Sequence, residues 1–318
     1  MGKLFKILSI DGGGIRGVYS AHVLKCIEER LEVSLFDVFD MIAGTSTGSI
    51  IAAGIASQEP ASSIVEFYKK HGFEIFPPKW YARLCETAKK YLSMCESMCR
   101  SPYDFHHLER ALINVFQDKR LGDIDKPLLI PSTDITNGCV HVLKSAYSND
   151  FTRDKNVLVK DAVLASCSAP MFFDPHKLDH YLLADGGLWA NNPALAAMID
   201  AQKRLNIHQD DIRILSIGTG HSRKMFGSNP SRKWGFLNGW RKKEFIEFIL
   251  SLQSQSALNY LKLMLRSEQI MRIDFDSDTS LPLDDASQID NLIAKADHDF
   301  THESKRIMEF ILDGGVES

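Results

Sequence analysis

The sequence predicts an α/β domain: a mainly parallel central sheet with helices on both faces, built as three layers. Three observations lead there. Phe5-Lys6-Ile7-Leu8-Ser9-Ile10 has strand composition and is followed by a glycine turn and a helical apolar spacing, the beginning of a βαβ unit. A second apolar run, 39–43, passes through Gly44-Thr45-Ser46-Thr47-Gly48 into a small-residue segment, 49–56. The 318 residues are 44% hydrophobic and 25% charged, ordinary for a folded chain and enough for one large α/β domain.

Composition also excludes some partners. A net charge of −4 gives no global field toward a nucleic acid polymer or anionic lipid. No apolar run reaches membrane-spanning length. Met1-Gly2-Lys3 leads straight into the first strand pattern, so no secretory signal is expected. The six cysteines therefore read as reduced thiols of a cytosolic protein. Cys95 and Cys99 lie one helical turn apart, but no histidine or cysteine pair with zinc spacing answers them, and no metal or cofactor is expected.

Taken in order, the first strand ends in Asp11-Gly12-Gly13-Gly14-Ile15-Arg16-Gly17. Residues 18–31 then place Val23, Leu24, Ile27 and Leu31 on one helical face. The strand at 39–43 enters the next helix through G-x-S-x-G. This pattern is a nucleophile elbow: its glycines allow a sharp turn that holds the Ser46 hydroxyl clear of the sheet. The positive end of the following helix favours an alkoxide or a bound oxyanion there.

Two readings of the glycine loop compete. Gly12, Gly14 and Gly17 satisfy G-x-G-x-x-G, which would make the chain a nucleotide-binding module without hydrolysis. That fingerprint wants an acid at the end of the second strand, whereas Asp37 and Asp40 precede it. In the other reading the loop and Ser46 meet at one sheet edge. The amides of Gly12, Gly13 and Gly14 then hold the oxyanion of an acyl-transfer intermediate, with Arg16 adding positive charge.

Further along, 61–76 reads as an amphipathic helix ending near Pro77-Pro78. Residues 80–100 read as a helix with aromatic and Met residues, suited to a core face or to a lid, and 103–116 as another helix. Strands at 127–133 and 140–143 flank the turn signal Asn137-Gly138, with Asp134 as a turn residue. A helix at 159–165 precedes Ser166-Cys167-Ser168-Ala169-Pro170. A strand at 180–183 ends in Ala184-Asp185-Gly186-Gly187. Asn192 then caps a helix beginning with Pro193. After a strand at 212–217, His221 follows Gly218-Thr219-Gly220 and reads as a residue outside the catalytic group. Residues 212–243 contain no acid and carry Arg223, Lys224, Arg232 and Lys233 among their basic residues. Such a span suits lipid headgroups or an anionic effector. Helices at 244–265 and 289–311 and an edge strand at 271–275 complete the chain.

Asp11-Gly-Gly-Gly-Ile-Arg-Gly17 followed by Gly44-Thr-Ser-Thr-Gly48 resembles the patatin-like phospholipases, and Ala184-Asp185-Gly186-Gly187 is the third motif in the family's order. The Ser166 to Pro170 segment is similar to the family's Ala-Ser-x-x-Ala-Pro. The resemblance spans about 5–220 and implies a catalytic domain over 1–220, with 221–318 as a basic segment and helical part packed on it. It implies a Ser46–Asp185 dyad that hydrolyses membrane phospholipids, without a histidine. The opening strand, the Ile130-Pro131 pair and the 185–193 run look like the bacterial patatin-like effectors of cyclic-oligonucleotide antiphage defence. That likeness implies a cyclic dinucleotide activator, self-association, and action at the inner face of the membrane.

Overall fold

The computed structural model describes residues 4–77, 101, 103–222, 242–279 and 281–312. The helix expected over 80–100 and the basic residues Arg223, Lys224, Arg232 and Lys233 lie outside the described residues.

An eight-stranded sheet forms the middle layer, with strand order β5-β6-β3-β2-β1-β7-β9 and β4 on β3. Its parallel half comprises β1 (Phe5–Ile10), β2 (Met41–Gly44), β7 (Ile212–Ile217), β9 (Ile270–Ile273) and the start of β3 (Leu128–Asp134). The antiparallel half adds β4 (Cys139–Lys144), β5 (His176–Leu178) and β6 (Tyr181–Asp185). Strands β8 (His221–Ser222) and β10 (Asp276–Ser277) pair separately.

Parallel strands are buried on both faces, and the side chains here divide accordingly. Leu8, Ile10, Ile42, Leu215 and Ile217 point into a large core. That core is covered by α1 (Gly17–Leu31), α3 (Thr47–Ala56), α4 (Ala61–Ile75), α5 (Phe105–Phe116), α6 (Val159–Cys167) and α10 (Ile289–Ile311). The alternate residues Ile7, Met41, Ala43, Ile212 and Ile214 face a smaller core under α8 (Ala194–Arg204) and the end of α9 (Lys242–Met264). Two short helices, α2 (Leu35–Val38) and α7 (Gly187–Ala190), lie before β2 and after β6. The expected edge strand is β9, which hydrogen-bonds to β7 and so makes the C-terminal third part of the sheet.

The partners of β3 place the site. β4 runs along Leu129–Asp134 on one edge of β3, so β2 and β6 share the other edge. β2 takes Leu128 and Leu129; β6 takes Ser132 to Asp134, pairing Ser132 with Asp185. The last residue of β6 therefore stands just beyond the end of β2, where the chain turns at Ser46.

Candidate active site

Ser46 sits between β2 and α3 with φ 53° and ψ −126°, a conformation that a residue with a side chain rarely adopts. Such strain costs of order 1–3 kcal/mol and persists only where the surroundings enforce it. The enforcement is visible. The Ser46 amide donates to Ser166 Oγ at 2.9 Å, and Ser166 Oγ donates to the Pro131 carbonyl at 2.6 Å. The Ser46 carbonyl accepts from the Ser49 amide at 2.8 Å and the Ser49 hydroxyl at 2.6 Å. The elbow also needs its two glycines. A Cβ on Gly44 would stand 2.0 Å from the Gly48 carbonyl oxygen, and one on Gly48 would stand 2.4 Å from that of Ile10. The helix that follows is buried at all ten positions, so its N-terminal end is fixed against the sheet.

Asp185 ends β6 and is 3% exposed. Its Oδ1 accepts from the Gly187 amide at 2.6 Å, and it borders the same cavity as Ser46. Burial pushes the carboxyl up to about 6, against the smaller opposing effects of Ser46 and the Gly187 amide. A carboxylate with that affinity is ionised at neutral pH and still basic enough to take a proton.

The glycine loop arrives from β1. The Gly12 amide is committed to the Asn191 carbonyl at 3.1 Å. Among the described residues the amides of Gly13 and Gly14 have no acceptor, and both residues border the cavity that holds Ser46 and Asp185. The expectation of three donors thus reduces to two available ones. Arg16 is buried; its Nε donates to the Gly13 carbonyl at 3.2 Å and its Nη1 to the Leu281 carbonyl at 3.1 Å. It ties the loop rather than facing Ser46.

That cavity is apolar. Ile50, Phe67, Ile75, Phe76, Leu108, Phe172 and Phe173 line it beside Ser46 and Asp185. Its walls suit a hydrocarbon chain, and among the described residues that line it there is no Lys or Arg to face a phosphate, which weighs against the nucleotide-binding reading of the loop.

His221 lies apart from this group. Its Nε2 contacts Asp276 Oδ1 at 2.7 Å and its Nδ1 lies 3.7 Å from Asp274 Oδ2, and it borders a different cavity. Asp134 is a turn residue, accepting from the amides of Thr136 and Asn137. Asn192 accepts from the Ala194 amide, the capping role its sequence suggested.

Sequence reasoning missed two features. Ser166 holds the elbow, whereas in the sequence its segment showed only a likeness to a family motif. Arg272, on β9, donates from Nη1 to Asp11 Oδ1 at 2.8 Å and from Nη2 to Asp11 Oδ2 at 2.7 Å. It also reaches Ser216 Oγ and Asp274 Oδ2, each at 2.7 Å. Burial alone would raise Asp274, but Arg272 and His221 together outweigh it and hold that carboxyl well below the usual range. The only sequence signal was the acid opening the glycine motif; its partner lies 261 positions away.

A strained serine, a buried carboxylate and two open amides around an apolar cavity define the class: a hydrolase of lipid esters. The chain belongs to the patatin-like phospholipases, whose family model matches residues 8–198. It is 29% identical to a cGAMP-activated phospholipase of Vibrio cholerae, over 96% of this chain and 94% of that protein. It is 30% identical to one of Escherichia coli, over 74% and 68%. A patatin-like protein of Arabidopsis thaliana, patatin-like protein 1, is 28% identical over 99% and 85%.

Proposed function

We propose that the chain hydrolyses membrane phospholipids through a Ser46–Asp185 dyad. Ser46 Oγ attacks the ester carbonyl while Asp185 accepts its proton. The Gly13 and Gly14 amides, aided by the N-terminal end of α3, receive the negative charge that develops on the carbonyl oxygen. Collapse expels the lysolipid alcohol, which takes up the proton held by Asp185, and leaves an acyl-serine. Asp185 then draws a proton from water, whose oxygen attacks the acyl carbon; the Ser46 oxygen leaves, taking that proton back from Asp185, and the fatty acid is released. The carrying observation is that Ser46, Asp185 and both open amides border one apolar cavity. The test is labelling by a serine-directed fluorophosphonate: wild type should be modified at Ser46 and should release fatty acid from phospholipid vesicles. Ser46→Ala and Asp185→Ala should do neither, and a folded, unlabelled wild type supplied with activator would sink the reading.

Activation by a cyclic dinucleotide belongs to the same proposal. It rests on the likeness to relatives named cGAMP-activated phospholipases and on the acid-free basic span over 212–243. Arg223, Lys224, Arg232 and Lys233 are its candidate contacts. The activated enzyme would self-associate and act at the inner face of the membrane; no helix among the described residues is long and apolar enough to cross one. Vesicle hydrolysis should rise with one member of a panel of cyclic dinucleotides, and alanine at those four positions should abolish the rise. Equal rates with and without every nucleotide would leave a constitutive lipase.

A further inference from the structure

We propose that Arg272 is a positioning residue for catalysis: its fork on Asp11 fixes the base of the glycine loop and so aims the Gly13 and Gly14 amides. The inference rests on the reading of that loop as the oxyanion site.

Both partners are withdrawn from water, with side chains 13% and 3% exposed. Each carboxylate oxygen of Asp11 meets one guanidinium nitrogen, a two-point contact that fixes direction as well as distance. Asp11 Oδ2 also accepts from Ser254 Oγ at 2.7 Å, and Ser254 accepts from Asn191 Nδ2 at 2.9 Å. The backbone is held in the same place. The Asp11 amide donates to the Ile217 carbonyl at 3.0 Å, and the Gly12 carbonyl accepts from Thr219 Oγ1 at 3.0 Å. Gly13 and Gly14 follow directly, and the Arg16–Gly13 bond closes the loop from its far side.

The two open amides therefore project from a short arc clamped at both ends. The arc has no side chains of its own to stiffen it, so three consecutive glycines depend on these bonds from neighbouring residues. Oxyanion donors contribute through preorganisation, so a loose arc would lower turnover while leaving the acyl cavity, and hence binding, unchanged.

The decisive variant is Arg272→Lys, which keeps the charge and loses the fork. It should lower kcat on the order of 100-fold, the usual consequence of misplacing a catalytic group by about 1 Å. KM should stay within about twofold. Fluorophosphonate labelling at Ser46 should slow in parallel, because that reaction also develops charge at the oxyanion site. Asp274→Asn is the control, since it changes a second partner of Nη2 and leaves both Asp11 contacts of the fork in place; its kcat should remain near wild type. The inference is overturned if Arg272→Lys labels and turns over like wild type. It is also overturned if Asp274→Asn loses as much kcat as Arg272→Lys with an equal fall in melting temperature, which would make the network a matter of packing. A wild type that never labels at Ser46 would instead remove the underlying reading of the site.

Discussion

Asp185 is the residue on which rate and stability pull apart. Its carboxyl lies near 6 because burial disfavours the charge. Hydrolysis should therefore fall away as pH drops through about 6, where the base is protonated. A pH–rate profile of vesicle hydrolysis checks this, and a flat profile from pH 5 to 8 would exclude Asp185 as the base. The stability effect has the opposite sign. The folded value exceeds the unfolded 3.8, so the wild type loses stability as pH rises from about 4 to 6. Asp185→Asn, which can still accept from the Gly187 amide, should be inactive yet more stable at pH 7 by about 2–3 kcal/mol. That gain should vanish below the unfolded value, near pH 3. Chemical denaturation at the two pH values measures it. Ser166 is the second such residue. Ser166→Ala leaves the half-buried Ser46 amide without its acceptor, a loss of about 1–3 kcal/mol. Because the strained elbow relaxes, activity should fall more steeply than stability does; an active Ser166→Ala would show that other bonds suffice to hold the turn.

The elements legible in the sequence were those whose signal is local. The β1–glycine–α1 unit, the elbow, the β3–β4 hairpin and the 23-residue α10 follow from period, composition and turn residues within a short window. What the window could not reveal was pairing. β3 exchanges a parallel neighbour for an antiparallel one along a single edge, and that exchange brings Asp185 to Ser46. Likewise, motif order identified Ser46 and Asp185, but only hydrogen bonding revealed that the Gly12 amide is already occupied. Helix α3 offers a test at this scale. Ile50 lies one turn beyond Ser46 and walls the acyl cavity. Ile50→Phe should shorten the usable chain, shifting the kcat/KM ratio between long and short acyl esters by roughly 10-fold or more. An unchanged ratio would place the chain elsewhere.

At the scale of the whole molecule, the family match ends at residue 198, yet the site is completed from beyond it. Helix α9 contributes Leu250 to the acyl cavity and Ser254 to Asp11, and β9 contributes Arg272. A chain ending at 220 would also lose the strand that covers β7. It should fail to give a cooperative thermal transition and should not label with fluorophosphonate; an active truncation would show that the first 220 residues suffice. Helix α9 also follows the basic span directly. On the proposed scheme Ser254→Ala should lower the activated rate while leaving nucleotide affinity intact, as calorimetric titration alongside kinetics would reveal.

The distance along the chain between Asp11 and Arg272 has a consequence for biosynthesis. During translation the glycine loop and Ser46 leave the ribosome early, Asp185 much later, and the guanidinium proposed to aim the loop later still. On the proposed scheme a nascent chain thus carries its nucleophile long before it has a proton acceptor or an ordered oxyanion site. With 261 positions separating the two ends of one ion pair, on the proposed scheme the site stays incomplete until residue 272 has been made.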